Sequence, residues 1–147
     1  MQYSDGGSTH TATRAVSGTP TARARVTVSE WFGPNDCTNC MPFDFGPVTV
    51  GSSVEQTFTV YNTGALPATS LAPAAGLNTP FAYKTPGGYP GNGGNCGTML
   101  AAGNWCQVVV VFAPQLAGPA SAMLSITYDD TFMSPLTASR ALAGTGQ

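Results

Sequence analysis

One stretch of the chain, residues 96–114 (CGTMLAAGNWCQVVVVFAP), limits the possible folds more than any other. It holds a run of four valines, has cysteines at positions 96 and 106, and ends at a proline. A short valine-rich run bounded by turn residues is typical of a buried β-strand. We therefore predict that residues 105–112 form the central strand of an all-β domain, and that residues 100–103 form the tight connection of a β-hairpin.

The rest of the chain favours the same fold class. Gly (18) and Pro (12) are frequent and only 8% of residues are charged, which fits short strands joined by tight turns with Thr and Ser facing water. Further strands are predicted at residues 24–31, 43–50, 54–62, 81–83, 121–128 and 136–143, with only short pieces in 65–80. Seven or eight such strands predict an immunoglobulin-like antiparallel β-sandwich.

The chain divides into a tail and one domain. Residues 1–21 are polar and lack hydrophobic periodicity, so we predict an extended N-terminal tail or linker there. Residues 22–147 are long enough for a single sandwich with a full core. A tail this polar is ordered when its own domain or a neighbouring subunit holds it.

Charge and hydropathy exclude two classes of partner. Seven acidic and five basic residues give a net charge of −2 without a basic patch, so nucleic acid is not an expected partner. No apolar run approaches the roughly 20 residues that a membrane span requires. The polar start at Met1 leaves two hypotheses: a leader that has been removed, or export without one, as for virion proteins.

Four cysteines allow three pairings. We predict a disulfide between Cys96 and Cys106 across the hairpin, and the local pair Cys37–Cys40 is the simplest assignment for the other two. The alternatives are a zinc ion held by all four thiolates and a redox-active CxxC. The spacing of Cys96 and Cys106 matches a zinc knuckle poorly, and Met41-Pro42 does not provide the helix that a redox CxxC requires.

No residues point to catalysis or to a cofactor. His10 is the single histidine and lies in the tail, away from any evident nucleophile. Asp129 and Asp130 lack EF-hand spacing, so a solvated strand end is expected there rather than a Ca²⁺ site with Asp44 or Asp36. The glycine-rich residues 91–97 lack the strand–loop–helix context of a phosphate loop. We therefore predict no enzyme activity, no metal, no cofactor and no small-molecule ligand.

The central strand carries an anomaly. If Cys106, Val108, Val110 and Phe112 face the core, then Trp105, Val109 and Val111 face outward, where an antiparallel sandwich normally places polar residues. An exposed stripe of this kind marks a contact surface. Two covers are open: the chain's own tail, CxxC loop or residues 65–80, and a neighbouring subunit.

Several motifs occur in a specific order: FGPVTVG at 45–51, YNTG at 61–64, CGTMLAAGNWC at 96–106, VVVVFAP at 108–114, YDD at 128–130 and LAGTG at 142–146. Together they resemble the bacterial Hydin-type immunoglobulin-like domains, also called ASH or choice-of-anchor-D domains. These domains are similar to the major sperm protein and PapD-like sandwiches. The resemblance covers residues 43–146.

This resemblance implies a scaffold or contact module without catalytic residues. We therefore predict a non-catalytic structural or protein–protein interaction module of an extracellular or cell-envelope bacterial assembly. Its expected partners are proteins, either identical copies or members of a larger assembly. The alternatives are a virion structural protein, such as a capsid decoration or tail-associated protein, and a fibre subunit whose N-terminal segment contacts its neighbours.

Overall fold

A computed structural model describes residues 2–4, 9–11, 22–31, 40–75, 77–132 and 135–147. All regular structure in these residues is β-structure, and no helix in them is long and apolar enough to cross a membrane. The strands are β1 Gln2–Ser4, β2 Thr9–Thr11, β3 Val26–Ser29, β4 Phe43–Val48, β5 Val54–Asn62, β6 Thr69–Pro73, β7 Phe81–Tyr83, β8 Trp105–Phe112, β9 Gly118–Asp129 and β10 Leu136–Gly146.

Eight of these strands form a sandwich of two four-stranded sheets. One sheet has the order β3-β5-β8-β7 and the other the order β4-β10-β9-β6. All pairings are antiparallel except that between β4 and β10. The predicted all-β, immunoglobulin-like sandwich of seven or eight strands is confirmed, and the prediction of antiparallel pairing fails only between β4 and β10.

An aromatic cluster fills one part of the core between the sheets. The side chains of Phe58, Phe81 and Phe112 are at most 1% exposed, and the rings of Phe81 and Phe112 lie 4.8 Å apart. A Cβ atom on Gly144 would lie 2.7 Å from the Phe112 ring. Position 144 requires a glycine because the Phe112 ring occupies the space of a side chain. Gly144 therefore does not end the strand, and β10 continues to Gly146 rather than ending near Ala143 as predicted.

The chain changes sheet between β3 and β4. The first of these strands pairs with β5 in one sheet, whereas β4 runs parallel to β10 at the edge of the other. Gly46 adopts a positive φ of 73° and Pro47 follows it, next to a register shift opposite Ala143 and Thr145. Pro47 therefore lies in an edge strand beside a bulge, where the missing backbone N–H of a proline is tolerated.

The predicted hairpin before β8 is wrong. Cys96 lies in a loop, and Leu100 forms an isolated antiparallel bridge with Ala68, so residues 97–100 turn away from β8. The backbone N–H of Ala68 donates to Leu100 O, and the N–H of Leu100 donates to Ala68 O, both at 2.9 Å. A partner from a distant segment therefore takes the place of the local strand that the sequence pattern suggested.

Neither Asn62 nor Gly64 adopts a left-handed conformation at the end of β5. Asn62 is the last residue of β5 and is fully buried. A Cβ atom on Gly64 would lie 2.2 Å from the carbonyl oxygen of Arg23. Close approach of two backbone segments, rather than a left-handed conformation, therefore requires the glycine.

The predicted tail contains one short hairpin, in which β1 and β2 pair antiparallel. The other positions of residues 1–21 lie outside the described residues. The division into a tail of residues 1–21 and a domain of residues 22–147 stays a prediction.

Candidate interaction surface

The outer face of the β3-β5-β8-β7 sheet contains the predicted contact residues. Cys106, Val108, Val110 and Phe112 are all buried, so the predicted inward face of β8 is correct. Trp105 lies on the opposite face, where its side chain is 40% exposed. It stands directly across from the half-buried Tyr61 of β5. These two aromatic side chains form a surface pair at the start of β8.

Val109 is covered by the chain itself, which is one of the two covers left open by the sequence, and it does not contribute to an exposed stripe. Its side chain is only 4% exposed. Its backbone N–H donates to Pro90 O at 2.8 Å, and its carbonyl accepts from Lys84 N at 3.0 Å. The covering segment is the glycine- and proline-rich loop 85–95, which was not among the segments of the chain weighed as covers from the sequence.

The glycines of this loop allow its backbone to lie against β8. A Cβ atom on Gly91 would lie 2.3 Å from Val109 O, and one on Gly94 would lie 2.8 Å from Gln107 O. Asn95 adds a side-chain bond, because its Oδ1 accepts from Gln107 N at 2.7 Å. The loop therefore continues the sheet beside β8 where β7 ends.

Val111 is half-buried and lies between two neighbouring strands. It stands opposite Glu55 of β5 on one side and Ala82 of β7 on the other. The Nζ atom of Lys84, which follows β7, lies 2.7 Å from Oε2 of Glu55. This ion pair therefore bridges from β5 towards β7 across β8, and of the three predicted contact residues Trp105 presents the most surface.

The disulfide between Cys96 and Cys106 joins the loop before β8 to the second residue of that strand. Their Cα atoms are 4.9 Å apart, and both residues are 6% exposed. Cys40 is also disulfide-bonded. Cys37, the partner predicted for it, lies outside the described residues.

A buried arginine holds the two sheets together near the change of sheet. Arg140 of β10 is 3% exposed and donates from Nε to Oε2 and from Nη2 to Oε1 of Glu30, each at 2.8 Å. Its Nη1 atom donates to the carbonyl of Met41. The hydrogen bonds from Arg140 lower the pKa of Glu30 below its ordinary value. This bidentate pair is structural, because one partner is enclosed by the core.

Asp130 is fully buried, so the solvated strand end expected at Asp129 and Asp130 is wrong for this residue. Its Oδ1 atom accepts from Phe132 N at 2.9 Å, and its Oδ2 atom lies 3.6 Å from Nη1 of Arg23. Asp44, the other described residue considered for a Ca²⁺ site, accepts from Gly46 N at 2.8 Å. Asp36 lies outside the described residues. Within those residues no group of three metal-ligating side chains occurs.

A tyrosine of loop 85–95 packs edge to face against the last residue of β7. The rings of Tyr83 and Tyr89 lie 5.7 Å apart with an interplanar angle of 88°. Burial raises the pKa of each phenol to about 12. Tyr83 is therefore a neutral side chain of the core, and Tyr89 is a neutral, partly buried side chain packed against it.

A groove at the opposite end of β8 was not predicted from the sequence. It has a volume of about 310 Å³ and is lined by Thr79, Pro80, Pro114, Gln115, Leu116, Ala117, Gly118, Pro119 and Ala120. Leu116 is 83% exposed, and Met123 on the neighbouring strand is 53% exposed. The PQLAGP sequence at 114–119 could have indicated this groove, because it places a leucine between two prolines in a short connection between strands.

Comparison with known domains agrees with this geometry. Residues 38–141 match the sequence model of the HYDIN/CFA65/VesB-like immunoglobulin-like domain family, close to the 43–146 expected from the motifs. The chain belongs to this family. The family supports a non-catalytic interaction module. No curated protein sequence matches the chain.

Solved structures share the fold of this HYDIN/CFA65/VesB-like domain. The VesB protease of Vibrio cholerae matches with a TM-score of 0.58 and 16% identity over 82% of this chain and 31% of that protein. A protein of unknown function from Porphyromonas gingivalis matches with a TM-score of 0.50 and 14% identity over 84% of this chain and 46% of that one. An ASH/PapD-like domain of human CEP192 has a TM-score of 0.43 and 11% identity, over 94% and 93% of the two chains.

The first two of these structures are much longer than the domain. The chain spans 31% of the Vibrio cholerae protein and 46% of the Porphyromonas gingivalis protein. At identities this low the likeness shows the fold alone. The predicted β-sandwich fold is thereby confirmed.

Proposed function

We propose that this domain is a non-catalytic protein–protein interaction module of an extracellular or cell-envelope protein, and that Trp105 is its principal contact residue. The observation that carries the proposal is the exposed side chain of Trp105 at the start of a strand whose other residues are buried or half-buried. Tryptophan is enriched among residues that dominate binding energy at protein interfaces. The neighbouring Tyr61 extends the same surface.

The arrangement of charged side chains supports a non-catalytic role for the domain. In the described residues, Arg140 pairs with Glu30, Arg23 pairs with Asp130 and Lys84 pairs with Glu55. Catalytic sites instead concentrate titratable groups with perturbed pKa values in a cleft. The groove at residues 114–120 has an uncharged and mostly apolar lining, which suits binding rather than catalysis.

The disulfides support an extracytoplasmic location. Cys96 and Cys106 are joined, and Cys40 is also disulfide-bonded. Disulfides persist in oxidising compartments and are rare in the cytosol. Maleimide labelling of the protein in intact cells of its source organism tests this location. We expect no labelling of Cys96 and Cys106 before reduction, and labelling of both would overturn the proposed location.

Site-specific photo-crosslinking tests the contact role. A photoreactive phenylalanine analogue replaces Trp105 in the protein expressed in its source organism. Thr57, which is exposed on the same sheet, serves as the matched control position. We expect a protein adduct from position 105 and a much weaker one from position 57. Equal adducts from both positions, or none from position 105, would overturn the proposed surface.

A further inference from the structure

One edge of β9 carries backbone groups that face away from its neighbour β10. Ala74 N donates to Ser125 O at 3.0 Å, so the peptide group of Ser125 faces the β6 side of the strand. Alternate residues of an antiparallel strand face the same side. The N–H groups of Ser121 and Met123, and the C=O groups of Pro119, Ser121 and Met123, therefore face this side as well. Among the described residues none pairs with them.

The other edge strands of the sandwich are protected against strand addition. β4 carries Gly46 at φ 73°, Pro47 and a register shift. β6 carries Ser70 at φ 54° and a register shift before Ala72. β3 and β7 are short, and loop 85–95 covers β8 beyond β7. Proteins use bulges, prolines and short strands to block edges, and residues 120–123 have none of these devices.

The groove defined above adjoins this open edge. Gly118, Pro119 and Ala120 belong both to β9 and to the groove, whose other wall is formed by Thr79 and Pro80. The described lining residues carry no charge. In strand addition the backbone edge supplies affinity, whereas a pocket beside it selects side chains. Both components occur together here.

We propose that the open edge of β9 and the adjoining groove form a binding site for an extended, uncharged peptide segment of a partner protein. The segment pairs with Ser121 and Met123 as a fifth strand of the sheet. It then continues past Pro119 and places an aliphatic side chain against Pro80, Pro114 and Leu116. The uncharged lining excludes acidic and basic side chains, because a charge buried there would lack a partner.

A second copy of the domain fits the edge less well. Ala74 occupies the edge at Ser125, and Gly118 turns the chain with a φ of 127°. Two copies would therefore pair over about five residues each, from 119 to 123, with Pro119 lacking an N–H group. A contact this short falls below the ~800 Å² per partner of stable interfaces, whereas a single peptide strand can also fill the groove.

A selection from a displayed library of random seven-residue linear peptides, with the 147-residue chain as target, identifies a probe. We expect enriched peptides without charged residues and with an aliphatic residue near one end. On adding such a peptide, amide hydrogen exchange at Ser121 and Met123 slows at least tenfold. Exchange at Ala120 and Ala122, whose N–H groups face β10, stays slow in both states and serves as an internal control.

Two matched variants locate the contact. Ser121→Pro removes an N–H at the open edge. Ser139→Pro removes an N–H on the far side of the paired strand β10, at a serine that is also exposed and whose hydroxyl lies 3.0 Å from that of Ser125. We expect peptide affinity to fall at least tenfold with S121P and to change less than twofold with S139P. If S121P does not fold, the exchange measurement on the unmodified chain decides.

Three results would overturn this inference: no enriched peptide, enriched peptides that are charged, or binding that leaves exchange at Ser121 and Met123 unchanged. Dimerisation of the chain that S121P abolishes would assign the edge to a second copy instead. The inference deepens the proposed function by naming a partner class. The two fail separately, because crosslinking at Trp105 probes the other sheet and does not depend on the β9 edge.

Discussion

A single buried amide holds together several segments at one end of the sandwich. Asn62 Oδ1 accepts from Arg25 N at 3.1 Å and from Gly64 N at 3.0 Å. Its Nδ2 atom donates to Leu66 O at 2.8 Å and to Leu100 O at 3.0 Å. Both donors and both acceptor sites of the side chain are therefore used, which few residue types could do.

Replacing Asn62 with alanine should destabilise the domain strongly. The substitution leaves Arg25 N, Gly64 N and Leu66 O without this partner, whereas Leu100 O keeps its bond from Ala68 N. Each buried group left unpaired costs about 1–3 kcal/mol. We expect a loss of at least about 3 kcal/mol in the free energy of unfolding, measured by urea denaturation. Asn92→Ala, at an exposed position, should change it by less than about 0.5 kcal/mol. Equal effects of the two substitutions would contradict the role assigned to Asn62.

Glu30 should make the stability of the domain depend on acid pH. Its hydrogen bonds from Arg140 lower its pKa in the folded state below the ordinary 4.5, so the folded state binds fewer protons than the unfolded state. The stabilisation is therefore present above pH 4.5 and is lost as the pH falls through the folded pKa. Urea denaturation from pH 7 to pH 3 should show a steeper loss for the unmodified chain than for Glu30→Gln. Parallel pH profiles would contradict this assignment.

The disulfide fastens a loop rather than a hairpin. Cys96 and Cys106 are 10 positions apart, and in the chain-entropy model a loop of this size contributes about 3 kcal/mol. We expect the double variant Cys96→Ala/Cys106→Ala to lose about that much in urea denaturation. Met99→Ala, at an exposed side chain of the same loop, serves as the control and should stay within about 0.5 kcal/mol. A double variant as stable as the control would show that the bonds of Leu100 to Ala68 suffice.

Gly91 should be the least replaceable residue of loop 85–95. It has a φ of 86°, and an added Cβ atom would lie 2.3 Å from Val109 O. A left-handed conformation costs a non-glycine residue about 1–2 kcal/mol and overpacking about 1–3 kcal/mol. We therefore expect Gly91→Ala to lose about 3 kcal/mol and to speed amide exchange at Val109.

Gly88 offers the matched control for this substitution. It also has a positive φ, of 66°, but open space surrounds its Cβ position. Gly88→Ala should therefore show the conformational cost alone, about 1–2 kcal/mol. Equal losses for the two variants would mean that the loop does not pack against β8.

Sequence periodicity correctly predicted the strands whose ends are set by neighbouring residues in the sequence. The bounds of β5, β7 and β8 agree with prediction, because alternation and flanking turn residues define them. β10 extends further than predicted, because Gly144 serves the packing of Phe112 and does not end the strand. Local pattern does not reveal whether a glycine turns the chain or makes room for a distant group.

The candidate surfaces were harder to predict than the strands. The alternation of β8 correctly gave the faces of Trp105 and Val109, but not the burial of Val109, which depends on a loop about 20 residues earlier in the chain. The open edge of β9 depends on where β6 ends at Pro73. Both features arise from contacts between segments that are distant in sequence.

At the scale of the whole molecule, the domain has few charged side chains, and half of those in its sequence form ion pairs within the described residues. Only 8% of residues are charged, and six of those in the described residues form three ion pairs that connect different strands or loops. The features that the domain offers to a partner are therefore exposed apolar side chains and an open strand edge. Such a surface suits protein contacts, which form at aromatic anchors and at open strands.

The affinity of the partner identified by crosslinking at position 105 tests the central claim most directly. Isothermal titration calorimetry compares the unmodified protein with Trp105→Ala and with the control Thr57→Ala. Loss of a central tryptophan costs at least about 1.4 kcal/mol at an interface, which is a tenfold change in Kd. We predict at least a tenfold weaker Kd for W105A, an unchanged Kd for T57A, and little change in Tm for either. Equal affinity of W105A and the unmodified protein would contradict the proposal that the domain acts through this surface.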